Sequence, residues 1–164
     1  MVDLSKAGFD TKAFTERLTT AIDAALGRSL ELFNGEIVRC LALDIHPCNG
    51  FLNLCMRVSD DEPDWLADWK YTSFAEAYGS ANWPEGLVLA QYMEQVTERK
   101  YNENPNGDNL EYGRAFLICA VHAFEDSRIC ARMSKLKKSD NFEYFVGEEQ
   151  NPYSENYCKI YGTF

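Results

Sequence analysis

The chain has 164 residues, 46% of them hydrophobic and 13% aromatic, and its 26 acidic and 16 basic residues leave a formal net charge of −10. That length suits a single domain over 1–164, large enough to bury a core without a metal or a disulfide, and the aromatic content excludes a disordered tail. No apolar run nears the roughly 20 residues that span a bilayer, and the acidity opposes nucleic acid, whose binding depends on neutralising phosphates.

The opening residues Met1 to Ser5 hold neither a basic cluster nor an apolar h-region, so a cytoplasmic location is expected. Asp10 has the chemistry of an N-cap, and Phe14, Leu18, Ala21, Ile22 and Ala25 follow at helical spacing, which predicts a helix to about residue 33. Residues 36–58 then read as two strands around Asn49-Gly50, the pair that a two-residue type I′ turn prefers. Such a turn sets Cys48 against Phe51, His46 against Asn53, Asp44 against Cys55 and Ala42 against Arg57. Alternation sorts Leu41, Leu43, Ile45, Leu52, Leu54, Met56 and Val58 onto a core face. Cys40, Asp44, His46, Cys48, Phe51, Asn53, Cys55 and Arg57 fall on the opposite face.

An acidic loop follows over residues 59–68, then a short helical piece at 74–78. Pro84 opens a helix to about residue 100, and residues 102–109 form a loop. The longest predicted helix covers 110–138, its middle buried nearly all round and its basic end facing the negative dipole. Two short strands, 142–146 and 157–161, close the chain. The expected fold is α+β: an antiparallel sheet built on a central β-hairpin, with three main helices packed on it.

Chemistry-bearing motifs are few. Phosphate loops, GxSxG, HExxH and EF-hand patterns are missing, and the six cysteines contain no CxxC pair. They are expected to be reduced, structural thiols. Cys119 and His122 share a helical face, but two ligands do not close a zinc site. No metal, cofactor or catalytic residue is therefore expected. One constellation merits weighing: Asp44, His46 and Cys55 on one hairpin face are the parts of a thiol nucleophile, its base and an orienting group. The competing arrangement pairs Asp44 with Arg57 and packs Cys55 beneath a helix.

Two segments instead join acids to aromatics. The first supplies Asp60, Asp61, Glu62, Asp64, Trp65 and Asp68, and the second Glu148, Glu149 and Tyr153. Tyr and Trp dominate interface hot spots, and surrounding carboxylates select a basic partner and speed its approach. The bland alternative is an ordinary solvated face above core tyrosines.

The stretch Ile37 to His46, the hairpin after it and Asp68-Trp69-Lys70-Tyr71 resemble small uncharacterised bacterial α+β proteins of the toxin-immunity type, found in polymorphic-toxin and contact-dependent inhibition systems. The likeness covers residues 36–75. It implies a cytosolic, non-catalytic immunity protein that inhibits a toxin domain, such as a basic nuclease, through the acidic and aromatic surface. Two other functions remain open: a small thiol-dependent enzyme using Cys55, His46 and Asp44, and an adaptor or homo-oligomeric subunit.

Overall fold

A computed structural model describes residues 4–61, 65–77, 82–105, 110–148 and 155–164. Helix α1, Thr11–Ser29, starts where the Asp10 carboxylate accepts a 2.9 Å hydrogen bond from the Ala13 amide. Its stripe of Phe14, Leu18, Ala21, Ile22, Ala25 and Leu26 is buried. Strands β1, Val38–His46, and β2, Phe51–Val58, follow as an antiparallel pair.

The turn between them differs from the expected one. Pro47 lacks the N–H that a ladder position needs, so pairing stops at His46, which stands opposite Phe51. Pro47–Asn49 forms a 3-10 turn, and Gly50 closes it at φ 55. The register therefore slips by two residues: Asp44 faces Asn53, and Cys55 faces Ala42. A slip of two preserves the pleat parity, so Leu41, Leu43, Ile45, Leu52, Leu54, Met56 and Val58 all lie in the main core.

Strand β3, Tyr71–Glu76, occupies the stretch where a helical piece was expected. Tyr71 opposes Met56 and Ala75 opposes Leu54, so three residues stand against Cys55 alone. Ser73 absorbs this bulge at φ 58. The bulge breaks period-two alternation, which hides the strand from pattern reading, while Phe33 packs edge-on against Tyr71 and Phe74.

Helix α2 is Pro84–Glu103. The single helix expected over 110–138 is two helices, α3, Leu110–Phe124, and α4, Ser127–Met133. Asp126 breaks the run by capping α4, its carboxylate accepting from the Arg128 amide at 2.9 Å. Two helices and a turn carry the chain back to the start of β1, where the Val38 amide donates to the Lys137 carbonyl at 2.8 Å. Strand β4, Lys138–Gly147, then runs parallel to β1, as such a crossover permits.

The sheet is thus mixed, with order β3-β2-β1-β4, and not antiparallel throughout. Residues expected as a last strand form helix α5, Tyr157–Tyr161. Asn156 decides this. Its Oδ1 accepts from the Cys158 amide at 3.0 Å and the Val146 amide at 3.4 Å, and its Nδ2 donates to the Tyr144 carbonyl at 2.9 Å. One side-chain amide caps the helix and satisfies the β4 backbone where a further strand would have paired. The architecture is a mixed α+β fold with a four-stranded sheet and several helices.

Candidate partner-binding surface

The second face of the hairpin carries a smaller core of Cys40, Ala42 and Cys55 beneath Leu66 and Trp69, with Phe145 packed against it. Leu66 and Trp69 come from the acidic loop between β2 and β3. Asp61, expected at the surface, turns inward and is 8% exposed. Its Oδ2 accepts from the Val58 amide at 3.0 Å and its Oδ1 from the Lys70 amide at 2.9 Å. One carboxylate thereby joins the two ends of the loop, a role that satisfies strand-end amides and leaves little of Asp61 to face a partner. An Asp three residues beyond a strand end was the available signal.

Outside this clasp, Asp60 and Asp68 are exposed and Trp65 is 53% exposed. Glu62 and Asp64 lie outside the described residues, as do Glu149 and Tyr153 of the second segment. Glu148 is half-buried just past β4. The two acidic segments leave the sheet from opposite ends: Val58 pairs with Val38, whereas Gly147 pairs with Asp44. Six residues of strand separate those levels, about 20 Å at ~3.3 Å per residue. They do not meet at their roots.

The basic residues of the run 128–138 are partly spent inside the molecule. Arg132 bonds Asp23 on α1 at 2.7 Å, and Arg128 bonds both Glu16 and Asp126 at 2.9 Å. The Arg132 hydrogen bond holds the Asp23 carboxyl below the ordinary carboxylate range. Arg28 forms a two-point contact with Glu85. Lys70 pairs with Glu36, which also accepts from the Tyr71 hydroxyl at 2.9 Å. Among the described residues, Asp60, Asp68, Glu94 and Glu98 take part in no ion pair.

The register slip also dismantles the thiol constellation. Asp44 is buried and accepts from His46 Nε2 at 2.8 Å, but Cys55 is fully buried opposite Ala42, four residues along β1 from His46. That distance is about 13 Å along a strand. The Cys55 sulfur lies instead 3.9 Å from the Thr72 hydroxyl. Asn53 Nδ2 donates to Ser73 Oγ at 2.9 Å.

His122 bonds Glu125 at 3.0 Å, while Cys119 is buried and its sulfur reaches the Thr11 carbonyl. Burial pushes the thiols of Cys119 and Cys158 up to about 11 and about 12, the opposite of activation. None of the six cysteines forms a disulfide, and Cys48 and Cys130 are exposed. Among the described residues, no group of three His, Cys, Asp or Glu side chains is placed to hold a metal, and no helix is long and apolar enough to cross a membrane. No family model matches the chain, and searches of the curated proteins and of the solved structures returned no match.

Proposed function

We propose that this chain is an immunity-type binding protein that inhibits a basic toxin domain in the cytoplasm by docking on it through an acidic, aromatic surface. The observation that carries this reading is Trp65, 53% exposed on a loop clasped at both ends by Asp61 and seated on the sheet through Leu66 and Trp69. Holding an aromatic anchor in place before binding lowers the ordering cost of association. Among the described residues, Asp60 and Asp68 on either side of it in sequence pair with no intramolecular cation, which favours a basic partner and fast encounter. A nuclease fits that description because its phosphate-binding surface is basic.

The experiment compares wild type with Trp65→Ala as baits in the native host, washed across a salt series. A stoichiometric basic partner that elutes at high salt is expected. Expressed alone it should arrest growth, and co-expression of this chain should restore it. Trp65→Ala should weaken binding by about 2 kcal/mol or more, the hot-spot threshold. Capture of only a second copy of the chain would favour the homo-oligomeric subunit instead, and equal binding by the variant would remove Trp65 from the interface.

A further inference from the structure

We infer that the cleft between the β1–β2 turn and helix α2 receives an arginine side chain of a basic protein partner. This rests on the reading above that the partner is basic, and adds a second contact site on a different part of the fold. The cleft has a volume of about 390 Å³ and is lined by Cys48, Glu94, Thr97, Glu98, Tyr101 and Tyr112. Glu94, Thr97, Glu98 and Tyr101 follow the i, i+3, i+4, i+7 spacing of one helix face. The turn forms the facing wall, and α3 contributes Tyr112.

Its walls are fixed in place. Thr97 is buried, and its hydroxyl donates to the Met93 carbonyl at 2.8 Å and approaches the Pro47 carbonyl at 3.4 Å, fastening turn to helix. At Gly50, with φ 55, an added Cβ would stand 3.0 Å from both the Ala90 carbonyl and the Glu94 Cβ. The turn therefore lies at contact distance from α2, closer than a residue with a Cβ takes without the neighbours giving way. Tyr112 is buried, and Tyr101 stands 54% exposed.

Charge selects the occupant. Glu94 and Glu98 repel one another across one helical turn, and no lysine or arginine is among the described residues that line the cleft. The neighbouring Lys100 and Arg99 are engaged with Glu103 at 2.9 and 3.9 Å. The field extends to the turn, where burial first and then the charge of Glu148 push the Cys48 thiol up. Glu94 and Glu98 are both exposed at the cleft, so an anion is repelled here and a cation is drawn in. Among the described residues no group of three His, Cys, Asp or Glu side chains is placed to hold a metal here, which disfavours a divalent cation as the occupant. A guanidinium meets every requirement: it is always charged, it bonds carboxylates in a planar fork, and it stacks on aromatic rings.

The test is a titration of the isotope-labelled chain with an acetylated, amidated alanyl-arginyl-alanyl tripeptide, followed by amide chemical shifts. Lysine and citrulline tripeptides and free spermidine serve as comparisons at constant ionic strength. The expected result is saturable shifts at Cys48 and residues 94–101, at least fivefold weaker binding of the lysine peptide, and none of the citrulline peptide. The Glu94→Gln, Glu98→Gln double variant should lose at least tenfold in affinity while melting no lower than wild type. Shifts that do not saturate, that persist in the double variant, or that spermidine reproduces at equal affinity would overturn the inference. A non-saturating tripeptide alongside Trp65-dependent capture overturns the cleft alone. A saturating tripeptide with no basic partner captured supports the cleft and overturns the immunity reading.

Discussion

On one face of the β1–β2 pair, Leu41, Leu43, Ile45, Leu52, Leu54 and Met56 share a core with residues of α1, α2, α3 and α4. On the other, Cys40, Ala42 and Cys55 form a smaller cluster with Leu66, Trp69 and a partly buried Phe145. The same alternation generates both faces, yet the covers differ in kind. Helices exclude water along the whole strand. The loop covers part of the opposite face with two side chains and one carboxylate clasp, leaving Trp65, Asp60 and Asp68 outside. Stability is concentrated on the first face, and the second is free to present a surface.

That contrast can be broken by matched truncations. Leu54→Ala empties a fully buried site and should cost about 4 kcal/mol, whereas Leu66→Ala, beneath a thinner cover that can settle, should cost about 2 kcal/mol. Urea unfolding measures both, and equal losses would mean that the loop is as integral to the core as the helices. Next in size is alkaline destabilisation from the helical side. Cys119 ionises at about 11 in the folded chain against 9.0 for an ordinary thiol. The folded value is raised, so this stabilisation is present below pH 9 and is lost as pH climbs toward 11. A two-unit shift corresponds to about 3 kcal/mol. Cys119→Ala should flatten the decline, and an unchanged slope would assign it to other groups.

Asp61→Ala leaves the buried Val58 amide and the Lys70 amide without their acceptor, at a cost of about 1–2 kcal/mol. It should also open the loop to limited proteolysis between β2 and β3 while the helical core stays protected. Cleavage no faster than in wild type would show that Leu66 and Trp69 hold the loop unaided. The smallest effect belongs to the α2 surface. Replacing Glu94 and Glu98 by glutamine relieves an i, i+4 repulsion and should raise stability by a few tenths of a kcal/mol. A loss of stability would mean that these carboxylates serve the fold.

How much of this was legible depended on range. The N-cap at Asp10, the Pro84 helix start and the two hairpin faces rest on residues a few positions apart, and all are present. The Asp126 cap was equally local but lay within a strongly apolar run that masked it. The trio of Asp44, His46 and Cys55 failed because Pro47 moved the register by two, a shift that keeps faces and exchanges neighbours. Asp61 resembled its acidic neighbours because its place three residues past a strand end is a weak local signal, and the Lys70 amide that it also binds lies nine residues away. The acids of α2 went unnoticed for a related reason: Glu94 and Glu98 look like a solvated helix face until the turn is laid against them.

By itself, the order of residues determined the helix starts, the pleat parity of the hairpin and the acidity of the surface, since each follows from short-range sterics, capping or composition. Only the tertiary structure decided that β4 pairs with β1 in parallel and that residues 157–161 are helical. It alone turned Asp61 inward and left Trp65 outside. Those outcomes depend on which distant backbone groups remain to be satisfied once the helices have claimed one face of the sheet, and on which side chains reach them first.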